Sequence, residues 1–191
     1  MKSVKKTEHT IIIKNSKFIC FLFQVESREE ISLILEKIRE KYWDATHCCY
    51  AYILENDKKE SDDGEPSGTA GIPMLQVLEK NGLNHVLCIV VRYFGKIKLG
   101  AGGLVRAYTK SVTEALKDHI ITLKKGVCAN ITFSYDNLKN IDYLLKDAIV
   151  LKKDFQDKIT YQIHISLDDL DKIKSILGIE IKICHYLYLP S

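Results

Sequence analysis

The chain has 191 residues, 46% hydrophobic and 28% charged, with a formal net charge of +3. That length holds one large domain or two small ones, and the composition excludes a disordered chain. A charge this close to balance does not by itself mark a nucleic-acid binder, so the placement of charge along the chain has to decide. No apolar run reaches the roughly 18 residues of a membrane helix. The start, MKSVKKTEHT, has basic residues but lacks the apolar stretch of a signal peptide. The six cysteines, Cys20, Cys48, Cys49, Cys88, Cys128 and Cys184, show no CxxC spacing and lie mostly in apolar runs. Free thiols in a cytoplasmic protein with no membrane partner are expected.

In chain order, 10–13 and 18–25 predict a β-hairpin with Asn15 and Ser16 at its turn. Ser27 and Glu30 form a capping box that opens a helix from Arg28 to about Lys41, with Ile31, Leu35 and Ile38 as its apolar stripe. Residues 46–54 read as a strand and 55–68 as a loop. A second helix starts near Gly71, with Pro73 in its first turn and Ser67 and Thr69 as caps. A short β-branched strand, 85–91, precedes a third helix over about 103–119. Its apolar face is Leu104, Tyr108, Val112, Ala115 and Leu116, and Arg106, Lys110, Thr113 and Lys117 fall on the solvated side. From Lys124 the pattern is β-α-β-β-α-β, a ferredoxin-like split βαβ unit. The expected fold class is α+β in two domains, 1–123 and 124–191, with Lys124-Lys125-Gly126 as the boundary.

Eight of the ten glycines fall between Ser61 and Lys110. Glycine tolerates positive φ and close backbone approach at an entropic cost, so two purpose-built loops flank the buried strand. The first, SDDGEPSGTAG, is acidic through Asp62, Asp63 and Glu65, with Gly64, Gly68 and Thr69 organising it. The second is basic: between Arg92 and Lys110 stand Arg92, Lys96, Lys98, Arg106 and Lys110, with no acid among them. Tyr93, Phe94 and Tyr108 are interleaved with these cations, a composition that suits phosphates and stacked bases. Gly102 and Gly103 open a helix whose first N–H groups can hold an anion.

ATHCCYAY at 45–52, SDDGEPSGTAGIPML at 61–75 and VVRYFGKIKLGAGGLVRAY at 90–108 together resemble the YigZ/IMPACT family. The resemblance covers most of residues 10–120. It implies an N-terminal βαβ fold of the type shared by a small-subunit ribosomal protein and GHMP-type kinases. The second module resembles the C-terminal domain of elongation factor G. For eukaryotic members the resemblance implies translational control, through binding the activator of a stress-responsive initiation-factor kinase. For bacterial members it implies nucleic-acid or ribosome binding. One departure stands out: the family has two glycines after its RYF or RYY, and here the second is Lys96.

Two functions follow. The first is a non-enzymatic, translation-linked binding protein contacting RNA, the ribosome or a ribosome-associated protein through Arg92, Tyr93, Lys96, Lys98, Gly102, Gly103, Arg106 and Lys110. The second is an enzyme acting on a phosphorylated small molecule or nucleotide, with Asp63 or Glu65 as base. LGAGGLVRAY is neither a P-loop nor a dinucleotide fingerprint, and shared fold does not carry function, so the binding module ranks first. The acidic loop has oxygen enough for Mg²⁺, but charge complementarity favours its pairing with Arg92 and Arg106. No metal, cofactor or catalytic residue is assigned. His47 and Cys49 share a strand face, yet nothing in the sequence lowers the thiol pKa as a nucleophile requires.

Overall fold

The computed structural model describes residues 1–190. In chain order the strands and helices are β1 (Lys2–Val4), β2 (Thr7–Ile13), β3 (Ser16–Gln24), α1 (Arg28–Lys41), β4 (His47–Leu54), β5 (Asp57–Ser61), α2 (Gly71–Lys80), β6 (Val86–Tyr93) and α3 (Ala101–Ala115). They continue with β7 (Ile120–Phe133), α4 (Leu138–Leu144), β8 (Ile149–Phe155), β9 (Ile159–Ser166), α5 (Leu167–Lys174) and β10 (Glu180–Pro190). The class is α+β, and the chain divides into two compact units, Met1–Thr122 and Leu123 onward.

The first unit is built on an antiparallel sheet of order β2-β3-β6-β4-β5. Its middle strand, β6, is buried from Val86 to Arg92 because both faces are covered. Val86, Cys88 and Val90 pack with Met74, Leu78, Leu104, Tyr108 and Val112 of α2 and α3. Leu87, Ile89 and Val91 pack with Ile31 and Ile38 of α1 on the other face. The strand that reads as continuously apolar is therefore the floor of two cores, as strand periodicity demands.

The first hairpin turns at Lys14 (φ 45) and Asn15 (φ 64), one residue earlier than the expected Asn15-Ser16. Two consecutive positive φ values match a two-residue turn whose twist suits the flanking strands, which leaves Ser16 paired with Ile13. Two strands are absent from the sequence reading. β5 lies in the expected 55–68 loop; its polar sequence belongs to an edge, where solvent takes one side. β1 pairs with Ile120–Thr122 of β7. The capping box holds, with Glu30 N–H bonded to Ser27 Oγ at 3.2 Å, although Glu30 reaches Glu26 N–H and not Ser27.

The second unit is an antiparallel sheet of order β10-β7-β9-β8, with α4 after β7 and α5 after β9. That order is the split βαβ arrangement. Val127, Ala129, Ile131 and Phe133 share a core with Tyr161, Ile163, Ile141, Leu170 and Ile173. Lys124-Lys125-Gly126, expected as the domain boundary, lies inside β7 and pairs with Leu189, Tyr188 and Leu187 of β10.

Candidate functional site

The acidic loop folds around its own first carboxylate. Asp62 accepts the N–H groups of Gly68 (2.7 Å), Ala70 (2.9 Å) and Gly71 (2.8 Å). It thereby caps α2, whose start has no side-chain cap of its own. Ser67 and Thr69 do not do this; the Thr69 hydroxyl donates to Pro66 C=O at 2.6 Å. Burial pushes the Asp62 carboxyl up, but the three N–H donors together hold it below the ordinary carboxylate value. Asp63 is taken up as well, by Cys48 N–H (2.7 Å) and the Arg39 guanidinium (3.1 Å). Gly64 (φ 86) and Gly68 (φ 75) supply the left-handed turns.

Glu65 leaves this loop and enters the core between the sheet and α3. Its side chain is only 3% exposed, and it meets the equally enclosed Arg92 guanidinium at 2.6 Å. Tyr108 donates its hydroxyl to the same carboxylate oxygen at 2.8 Å. The Cys49 thiol stands 3.3 Å from that hydroxyl and 2.9 Å from Asp62 C=O. His47 Nδ1–H donates to Asp63 C=O at 2.8 Å, and its Nε2 faces Glu65 at 3.8 Å. Phe18 braces the group, edge-on to Tyr108 with centroids 5.3 Å apart and 5.4 Å from the Arg92 guanidinium carbon. A buried charge pair persists when its partners are well placed and further hydrogen bonds satisfy it.

This arrangement argues against thiol chemistry. Burial pushes Cys48 up to about 11 and Cys49 further still, and burial likewise raises Tyr108. None of the three is poised to ionise near neutrality. Asp63 and Glu65, the two candidate bases, each hold a cation and a hydrogen-bond donor.

The basic loop is fixed from beneath. Ser16 Oγ accepts from Arg92 Nη2 (3.4 Å) and from Gly95 N–H (3.1 Å). A Cβ on Gly95 would sit 2.1 Å from the backbone carbon of Asn15, so only glycine fits against the hairpin. Lys96 has φ 63: the turn does use the left-handed region, and Lys96 occupies it at some strain. Beyond this anchor the cations separate into two groups. Arg92 is buried, whereas Lys96, Lys98, Arg106 and Lys110 are exposed. Lys110 pairs with Glu114 at 3.7 Å; Lys96, Lys98 and Arg106 form no ion pair among the described residues. Gly100 (φ 70) precedes α3, whose first turn holds the exposed Gly102 and the half-buried Gly103, with no side-chain cap and no acid.

Of the interleaved aromatics, Tyr108 is core, Tyr93 is half-buried with its hydroxyl on Asp44 at 2.7 Å, and Phe94 is 44% exposed. The α1–β4 turn, unmarked in the sequence, adds to this end of the sheet. Thr46 Oγ1 accepts from Phe94 N–H at 3.0 Å, and Trp43, beside Asp44, is 83% exposed. A lone tryptophan next to an acid was the one available signal.

Residues 14–116, which hold both loops and the buried Glu65–Arg92 pair, match the Impact N-terminal domain. The chain belongs to the IMPACT family. It is 42% identical over 165 residues to the IMPACT family member YvyE of Bacillus subtilis (strain 168), covering 83% of this chain and 76% of that one. It is 38% identical over 153 residues to the IMPACT family member YigZ of Escherichia coli (strain K12), covering 75% and 74%. A crystal structure described as that of a hypothetical protein superposes with a TM-score of 0.62 at 28% identity, covering 96% of this chain and 97% of the other.

Proposed function

We propose that this IMPACT-family chain is a non-enzymatic, translation-linked binding protein that contacts RNA of the ribosome through its basic loop and the start of α3. The observation that carries the reading is the exposed trio Lys96, Lys98 and Arg106, without ion pairs among the described residues, beside a helix start that has neither cap nor acid. Cations neutralise phosphates, free helix N–H groups donate to an anion, and Phe94 and Trp43 offer faces for bases. Arg92 stands apart from the contact surface: it holds Glu65, and the two loops with it, in shape.

The test is co-sedimentation of the full chain with purified ribosomes at low and moderate salt, beside a Lys96→Ala/Lys98→Ala/Arg106→Ala variant. Binding that weakens with salt, and whose salt slope falls by about one for each cation removed, supports the reading. A variant that sediments like the parent, or a parent that does not sediment at either salt, overturns it.

A further inference from the structure

The face of the second sheet opposite α4 and α5 carries a set of donors that ribosome contact does not use. Cys128 on β7 is the register partner of His185 on β10 and of His164 on β9. Residues opposed in this way keep their Cβ atoms about 4.5–5.5 Å apart on one face. The thiol and one nitrogen of each imidazole all lie within 4.8 Å of one another. The two rings, from strands that are not neighbours, have centroids 6.4 Å apart, so both lean in over the thiol.

A β-bulge makes this convergence. Ile183 pairs with Ala129 and His185 pairs with Cys128, which leaves Cys184 as the extra residue. Plain alternation from Ile183 would set Cys184 opposite Cys128 and turn His185 to the other face. The inserted residue reverses the parity and delivers the imidazole to the open side. Cys128 is buried, His164 half-buried and His185 exposed, so the group has a closed floor and an open mouth. Ile149 of β8 flanks His164 on its far side.

We infer that Cys128, His164 and His185 form a zinc site, with the thiolate as floor, the imidazoles as walls and a fourth position open to solvent. One sulfur and two imidazole nitrogens suit a borderline-soft cation and not Mg²⁺ or Ca²⁺, which take oxygen. Tetrahedral zinc with ordinary bond lengths needs donor atoms about 3.3–3.6 Å apart, inside the 4.8 Å within which these three lie, so the side chains draw together on binding. On binding, Cys128 releases its proton to water and each imidazole ligates as the neutral base. The bound ion would staple the outer strand β10 to two inner strands.

The test uses the full chain, reduced and stripped with a chelator, titrated with Co²⁺ as a spectroscopic substitute and then with Zn²⁺. A thiolate-to-cobalt charge-transfer band and tetrahedral d–d bands, both displaced by Zn²⁺, are expected. Cys128→Ser should abolish the charge-transfer band. His164→Ala and His185→Ala, which alter surface or half-buried positions, should each weaken affinity by more than the about 10–100-fold that loss of an outer-shell partner costs. Cys184→Ser should keep the band and its dependence on both histidines. No band with the parent chain overturns the inference. So does a band that survives both histidine variants and vanishes with Cys184→Ser, which would mean a thiol pair without imidazole ligation.

Discussion

Glu65 and Arg92, 27 positions apart, meet at 2.6 Å with both side chains nearly sealed from solvent. Cutting one side of such a pair strands a charge, so Arg92→Ala should cost about 3–5 kcal/mol of folding stability. Arg106→Ala, at the exposed end of the same basic stretch, should stay within about 0.5 kcal/mol of the parent. Urea denaturation of both variants checks the contrast; equal midpoints would deny Arg92 its structural role.

Gly95 and Lys96 should respond in opposite directions. Gly95→Ala drives a Cβ into the Asn15 backbone and should cost at least about 1–3 kcal/mol. Lys96→Gly relieves a left-handed lysine at the expense of glycine's entropy, leaving stability unchanged or raised by up to about 1 kcal/mol. It should nonetheless weaken ribosome co-sedimentation, because a cation is gone. Thermal melting and sedimentation together separate the two effects.

Asp62 gives a pH signature. Its folded pKa lies below the ordinary carboxylate value, so its contribution is present above the unfolded pKa and is lost as pH falls through the folded one. Asp62→Asn should therefore destabilise by about 1–3 kcal/mol at about pH 7. The gap between variant and parent should shrink as the pH drops below about 3.9. Denaturant midpoints of both chains across that range read the effect; a constant gap would mean that the charge is irrelevant.

Thiol labelling should be selective. With Cys48 raised to about 11 and Cys49 higher, and with Cys20, Cys88 and Cys128 buried, only the exposed Cys184 should react quickly. Iodoacetamide labelling of the folded chain near neutral pH, read by peptide mass spectrometry, should find one fast site. Fast labelling at Cys49 would contradict the enclosed network around Tyr108.

Apolar period and turn chemistry carried most of the fold. The α3 face of Leu104, Tyr108, Val112, Ala115 and Leu116 is buried as its spacing requires. What the sequence hid was joined over distance. Asp62 caps a helix whose Gly71 lies nine positions on, beyond the reach of any local capping pattern. Arg39 finds Asp63 from 24 positions away. β5 is polar because it is an edge strand, so no alternation marked it. The Cys128–His164–His185 group is legible only after three strands are in register and one bulge has flipped the parity of β10.

Ser16 gives both lone pairs of its hydroxyl to the second glycine-rich loop, one to Arg92 and one to Gly95. The loop's shape is thus written partly in a hairpin nearly eighty positions earlier. Transplanting residues 92–100 alone onto another scaffold would carry the charges and leave the contour behind.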